Sequence, residues 1–153
     1  MRIWRLIRAP FAVAAFDGEG AGRAGGRWNS RGMRVAYAAP SRSLAQLEIV
    51  VHIDRTQAPR DYVFVEADLP DDTIETILAS SLAPGWRGEP PPPALRNIGD
   101  QWAQARRSLA LRVPSVLVPE EYNVMINPLH PHFSRLRIVG RPVPTLFDPR
   151  LFA

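Results

Sequence analysis

A glutamate lies where a predicted helix would turn towards the protein interior. The apolar residues Leu44, Leu47 and Val51 recur at helical spacing, and at about 100° per residue Glu48 falls beside their stripe rather than opposite it. An inward-facing carboxylate is costly unless it is paired or functional. Glu48 is therefore either a functional acid or a glutamate at the edge of the helix that reaches solvent.

A glycine-rich turn places an arginine where it could bind phosphate. In the run Gly25-Gly26-Arg27-Trp28-Asn29, the two glycines let the backbone turn and come close to a ligand. An arginine directly after them can make a two-pronged contact with a phosphate or pyrophosphate. Trp28 offers either a stacking face or an anchor in the core. The alternative is a surface arginine that merely follows a turn.

Two hydroxyl groups lie in strands that are otherwise apolar. Ser115 follows Pro114, and its hydroxyl must find a partner if it is buried. Tyr37 lies in a second apolar stretch. Both have plain structural explanations, since Ser115 could bond to the backbone and Tyr37 could serve core packing.

Several other motifs are unconvincing as sites. Gly20, Gly22 and Gly25 match G-x-G-x-x-G, but the segment after them resembles a strand rather than the helix that a dinucleotide fold requires. All 19 basic residues counted as Lys or Arg are arginine, so a P-loop lysine is absent. His130 and His132 flank a proline and lack the spacing of a helical metal site, which favours a structural turn.

The elements that must position these residues alternate without a regular βαβ order. This favours an α+β fold with a mixed or largely antiparallel sheet core and flanking helices, in a single domain over 1–153. The stretch from 8 to 26 reads as loop, and the proline-rich stretch 83–93 as a stiff connector. Strands are predicted at 2–7, 33–39, 60–69, 109–119 and 134–140, and helices at 41–53, 71–80 and 96–108.

Composition limits the classes of protein that the chain could be. The 153 residues contain no cysteine, which excludes disulfides and cysteine-based zinc sites. The N-terminus lacks the pattern of a signal peptide and no stretch approaches the roughly 20 apolar residues of a membrane span. We therefore expect a cytoplasmic protein. The net charge of +4 keeps a non-enzymatic nucleic-acid-binding domain as an alternative, although the arginines are scattered.

The motifs, taken in order along the chain, resemble the RES family. The matching segments are 26–29 (GRWN), Tyr37, 44–48 (LAQLE), 98–102 (IGDQW), 113–115 (VPS), Asn123 to Pro128, 130–131 (HP) and 147–151 (FDPRL). The family is named after an Arg, a Glu and a Ser, which fall here on Arg27, Glu48 and Ser115.

The resemblance implies the toxin of a toxin–antitoxin pair with a fold like that of ADP-ribosyltransferases. It implies NAD as substrate, no metal, and an Xre-type antitoxin that blocks the active site. The protein is expected to form either a hetero-oligomer with that antitoxin or a homo-oligomer. Direct binding of nucleic acid and a nuclease activity are not expected. Transfer of ADP-ribose to a protein is the alternative to hydrolysis.

Roles for single residues follow from that resemblance. Glu48 would stabilise the positive charge on the ribose, and Arg27 would bind the pyrophosphate or the neighbouring ribose. Tyr37 would pack on the nicotinamide or bond the ribose, and Trp28 is expected to contribute to the binding of NAD. Ser115 would orient Glu48 or the substrate, and Asn123 is a further candidate for the same polar shell.

Overall fold

The computed structural model of the protein describes residues 1–53 and 60–152. Within these ranges the chain forms seven strands and three α-helices, with short 3₁₀ turns between them. The strands are β1 (Arg2–Arg8), β2 (Ala36–Ala38), β3 (Tyr62–Asp68), β4 (Ile74–Thr76), β5 (Ala110–Pro114), β6 (Tyr122–Ile126) and β7 (Arg137–Thr145), and the helices are α1 (Glu19–Ala24), α2 (Arg42–Val50) and α3 (Pro93–Ala105). The predicted α+β class with mixed sheets is confirmed.

The strands are arranged in two sheets. The first sheet has the order β1-β3-β7 with antiparallel pairs, and the second has the order β2-β6-β5-β4, in which β4 pairs parallel to β5. An antiparallel bridge between Trp4 and Ala39 joins β1 to the end of β2. The inner faces of both sheets share one apolar cluster, which includes Ile3, Val63, Val65, Ala110, Val124 and Ile126.

The outer face of the second sheet is covered by α3. Leu111 and Val113 of β5 and Met125 of β6 pack against buried residues of α3, among them Trp102. Because side chains alternate along a strand, the residues of β5 and β6 at every second position share this outer face. Asn123, directly opposite Val113 in the register, lies on the same face.

Helix α2 begins at a capped terminus and packs on the first sheet. The Ser41 hydroxyl accepts a hydrogen bond from the backbone N–H of Leu44 at 3.1 Å, as the sequence predicts for an N-cap. Leu44 and Ala45 are buried against β1 and β3. The predicted apolar stripe is wrong in part, because Leu47 is 37% and Val51 50% exposed. The inward face of the helix is therefore rotated towards Glu48.

Other predicted elements need correction. The helix predicted at 71–80 is a 3₁₀ turn followed by β4, because Ile74-Glu75-Thr76 pairs with the distant strand β5. The strand predicted at 109–119 ends at Pro114, since proline cannot donate to a further ladder bond.

Three further segments differ from their prediction. Strand β6 was not predicted, and the last strand runs over 137–145 rather than 134–140. The glycine-rich stretch predicted as loop contains α1 and a 3₁₀ turn. Gly18 allows the entry into α1, with φ of 73° and Val35 N only 2.8 Å from where its Cβ would lie.

Candidate active site

The carboxylate of Glu48 is held by two side chains that come from the second sheet. Ser115 Oγ donates to Glu48 Oε1 at 2.8 Å, and Asn123 Nδ2 donates to the same oxygen at 2.6 Å. Both contacts fall on Oε1. Within residues 1–53 and 60–152, no other side chain bonds this carboxylate. Among the described residues, no hydrogen-bond donor contacts Oε2.

The direction of the Ser115 hydroxyl is fixed by its surroundings. Ser115 is fully buried, and its Oγ accepts from the backbone N–H groups of Leu117 and Val118, each at 3.2 Å. A hydroxyl has two acceptor lone pairs and one proton. Because the two N–H groups occupy the lone pairs, the proton is directed at Glu48. The Ser115 hydroxyl is therefore held by the backbone and directed at Glu48 Oε1.

Arg27 is bound by a short segment of the proline-rich connector, residues 86–89, which we call the strap. Its Nη1 donates to the carbonyl oxygens of Trp86 at 3.2 Å and Gly88 at 3.0 Å. Its Nη2 donates to the carboxylate of Glu89 at 3.0 Å. The Arg27 side chain is 18% exposed and that of Glu89 80% exposed. Three of the five guanidinium N–H donors are thus used, which leaves Nε–H and one Nη2–H without a partner among the described residues.

Tyr37 stands beside the Arg27 turn with its hydroxyl already engaged. Tyr37 Oη donates to Asn29 Oδ1 at 2.7 Å and accepts from the backbone N–H of Trp28 at 3.3 Å. Burial raises the pKa of the Tyr37 phenol above its ordinary value, so the group is neutral under physiological conditions. The ring, rather than the hydroxyl, is the part of Tyr37 that is left for a ligand.

Trp28 takes the anchoring alternative that its sequence position allowed. Its side chain is 3% exposed and packs in the cluster between α3 and the second sheet. Gly99 makes this approach possible, because a Cβ there would lie 1.8 Å from the carbonyl oxygen of Trp28. The indole is thus under the Arg27 turn and supports it from the core.

Two series of contacts link the Arg27 turn to the residues around Glu48. Along the strap, Arg87 Nη2 donates to the carbonyl oxygen of Val116 at 3.0 Å, next to Ser115. Across the second sheet, Tyr37 is paired with Met125, so Asn123 is its diagonal neighbour on the outer face, a spacing of about 7–8 Å.

The predicted residues are therefore linked to one another by a series of contacts. The second sheet and the strap connect Arg27, Tyr37, Ser115, Asn123 and Glu48. Trp28 lies beneath them in the core.

Sequence analysis missed Arg5 of β1 as a neighbour of this group. Arg5 Nη1 donates to the carbonyl oxygen of Tyr37 at 3.1 Å. Burial lowers the pKa of Arg5 to about 10, against the opposing charge of Asp17, and the guanidinium remains charged at neutral pH. An arginine in the middle of a strand, between Trp4 and Leu6, was the signal that could have found it.

One protein-family model matches nearly the whole chain. The model described as RES domain matches residues 2–148. The chain belongs to the RES family. The predicted resemblance is thereby confirmed.

Two relatives are similar to this RES chain over nearly its whole length. This RES chain is 41% identical over 154 residues to a protein of Sphingobium sp. (strain YBL2) named Prs ADP-ribosylating toxin, with 97% of this chain and 94% of the relative covered. It is 34% identical over 151 residues to a protein of Yersinia enterocolitica named Toxin Res, with 99% of both chains covered. Both alignments extend over nearly the whole RES chain.

A solved structure shares the fold of this RES chain. A chain in the crystal structure of the M. tuberculosis MbcT–MbcA toxin–antitoxin complex superposes with a TM-score of 0.76 at 18% identity. The match covers 99% of the RES chain and 86% of the other. At this identity the similarity establishes a common architecture.

Other sequence features have structural positions. His130 Nδ1 accepts the backbone N–H of His132 at 3.1 Å, which makes this pair part of a turn. Among the described residues there is no cluster of three or more His, Asp or Glu side chains that could bind a metal ion. In the same part of the chain, no helix has the length and apolar character that crossing a membrane requires.

Proposed function

We propose that this RES protein is a toxin that cleaves NAD between nicotinamide and ribose. The observation that carries the proposal is the Glu48 carboxylate, fixed through Oε1 by Ser115 and Asn123 and linked by a series of contacts to Arg27. The ADP-ribosylating relative, 41% identical, supports NAD as the substrate.

Cleavage of this bond develops positive charge on the ribose, as in glycoside hydrolysis. The free oxygen of Glu48, Oε2, would stabilise that charge and hold the ribose hydroxyl groups. The bond that breaks joins ribose C1′ to the nicotinamide nitrogen, whose electron pair leaves with nicotinamide, and water then adds to C1′ and releases one proton to solvent. Nicotinamide leaves as a neutral molecule, so a strong general acid is not required and no metal is needed.

The remaining residues would hold the two ends of NAD. Arg27, with its outer edge free, would bind the pyrophosphate or the adjoining ribose. The ring of Tyr37 would pack on the nicotinamide, because its hydroxyl is engaged by Asn29. Ser115 and Asn123 would keep Glu48 in place, and Trp28 would support the Arg27 turn from the core.

An antitoxin would control this activity by covering the site. The solved relative in fold was crystallised as a toxin–antitoxin complex, which supports a protein partner of that kind. We propose an Xre-type antitoxin that blocks the entrance to Glu48 in the cytoplasm, where NAD is available. Exposed Leu47 on α2 and Val51, which caps the C-terminus of that helix, flank Glu48 and would lie under such a partner.

Transfer of ADP-ribose to a protein acceptor is the second candidate function. It is favoured by the name of the 41% identical relative, which describes an ADP-ribosylating toxin. The same Glu48 chemistry serves both reactions, and access of water to ribose C1′ decides between them.

Incubation with NAD labelled in the ADP-ribose half separates the two reactions. Purified protein alone should convert the label to free ADP-ribose and release one nicotinamide per NAD consumed. Label that becomes attached to protein when lysate is added would establish transfer instead. Intact NAD in both incubations would overturn the proposed function.

A further inference from the structure

Arg96 lies beside the Arg27 turn, on the first turns of α3. Its Nε donates to the carbonyl oxygen of Gly26 at 3.0 Å, and the side chain is exposed. Within residues 1–53 and 60–152, Arg96 forms no ion pair, and its two terminal nitrogens donate to no protein atom. It therefore presents two terminal nitrogens that no described residue bonds, one helical turn from Asp100, whose Oδ1 accepts the backbone N–H of Ser30 at 2.9 Å.

The position of this guanidinium is set by a rigid anchor. The Gly26 N–H donates to the carbonyl oxygen of Asn29 at 2.9 Å. A Cβ at Gly26 would lie 2.7 Å from Asn29 Oδ1 and 2.9 Å from Tyr37 Oη, so the turn is packed directly against Tyr37. The carbonyl that holds Arg96 is consequently fixed relative to Tyr37 and Arg27.

Arg96 and Arg27 act on the same side chain. Burial is the largest effect and raises the pKa of Tyr37, and the charge of Asp100 also raises it, whereas the Trp28 N–H and the positive charges of Arg96 and Arg27 lower it. Both guanidinium groups are thus within electrostatic reach of one phenol.

The donors of Arg27 are insufficient for a pyrophosphate. Arginine has five N–H donors, and three of those of Arg27 are used by Trp86, Gly88 and Glu89. A pyrophosphate diester carries two negative charges and offers several acceptor oxygens. Arg87 is the arginine within the strap itself, and its Nη2 donates to the carbonyl oxygen of Val116 rather than turning towards Arg27.

We propose that Arg96 is a second phosphate-binding residue of this site. Arg27 binds one phosphate of a dinucleotide through its free edge, and the terminal nitrogens of Arg96 bind the other. The residue determines affinity for a substrate with a pyrophosphate and takes no part in breaking the bond to nicotinamide. This inference rests on the proposed function, because it assigns a contact to the same substrate.

Steady-state nicotinamide release from NAD tests the role of Arg96. Arg96→Gln removes the charge from an exposed helix position, and we expect KM for NAD to rise about tenfold or more, as for loss of a charge-assisted bond. The kcat value should stay within about twofold of wild type. Arg96→Lys keeps the charge without the fork and should give an intermediate KM. Arg23→Gln, on exposed α1, is the matched control and should change neither constant.

The outcomes separate this inference from the proposed function. A wild-type protein that releases no nicotinamide from NAD overturns both. A wild-type protein that does release it, together with an Arg96→Gln variant whose KM is within twofold, overturns the role of Arg96 alone. A fall in kcat at unchanged KM would equally contradict a binding role. Thermal melting of Arg96→Gln at the wild-type temperature shows that the fold is intact.

Discussion

The Ser115 hydroxyl donates a hydrogen bond to the Glu48 carboxylate, although the two residues lie 67 positions apart in the chain. Glu48 lies on α2, which packs on the first sheet, whereas Ser115 follows β5 in the second sheet. The pair therefore joins the two sheets at the proposed catalytic centre. The position of the carboxylate depends on the packing of α2 as much as on local sequence.

Removal of Ser115 should affect both stability and catalysis. Ser115→Ala leaves the N–H groups of Leu117 and Val118 without their acceptor, and we expect the free energy of unfolding to fall by about 1–3 kcal/mol. The variant should also have a lower kcat for NAD, because Glu48 loses one of its two donors. Urea unfolding and steady-state kinetics measure the two effects.

Asn123 offers the comparison for Ser115. Asn123→Ala removes the other donor to Glu48 but orphans no backbone group, so kcat should fall with a smaller loss of stability. Wild-type kcat in both variants would contradict the role of these residues in positioning the carboxylate.

Loss of the Arg27 guanidinium should weaken NAD binding rather than catalysis at saturation. For Arg27→Ala we expect Kd for NAD to rise about tenfold or more, since bonds to a charged group are lost. Calorimetric titration measures the affinity. Glu89→Gln is the control, because an exposed ion pair contributes only about 0–1 kcal/mol and the two strap carbonyls still hold Arg27. Equal affinity of Arg27→Ala and wild type would exclude the phosphate contact.

The buried phenol of Tyr37 predicts a dependence of stability on alkaline pH. Folding raises the pKa of Tyr37 above the ordinary value of about 10, so folding favours the protonated form. This contribution is fully present below pH ~10 and is lost as pH rises from there towards the raised pKa. Of the three tyrosines in the chain, we expect this one to ionise late.

Tyrosinate absorbance in a pH titration checks the assignment. Tyr37→Phe should remove the late-ionising component and leave the other two tyrosines unchanged. The same late component in wild type and variant would show that another tyrosine is the buried one.

Gly99 predicts a sharp difference between two glycine substitutions in helices. Gly99→Ala places a Cβ against the carbonyl of Trp28, and we expect overpacking to cost about 1–3 kcal/mol of stability and to displace the Arg27 turn. Gly20→Ala in α1 meets no atom within 4 Å and should be neutral or slightly stabilising. Chemical denaturation compares the two; equal stabilities would contradict the close contact of α3 with Trp28.

Local sequence predicted those elements whose signals are themselves local. The Ser41 cap identified the start of α2, and the β-branched and aromatic residues within 60–69 identified β3. The prediction of a helix at 71–80 was wrong because the structure of this segment depends on pairing with β5, more than 30 residues away in sequence. A pattern of Ile74, Ile77 and Leu78 is compatible with a helix until that partner is known.

The candidate site was predictable by residue type, and its contacts were not. The family motifs indicated Arg27, Glu48 and Ser115, but nothing in the sequence showed that Ser115 and Asn123 share one oxygen of Glu48. The strap, Arg5 and Arg96 were missed, because their backbone partners are brought close only by the fold.

Nicotinamide release by Glu48→Gln tests the central claim most directly. Glutamine keeps an oxygen that can accept from Ser115 and Asn123, so the fold should persist while the negative charge disappears. With saturating NAD we expect the rate to fall by about a hundredfold or more, and Glu19→Gln on exposed α1 to leave it unchanged. A Glu48→Gln variant that melts like wild type and releases nicotinamide at the wild-type rate would contradict the account.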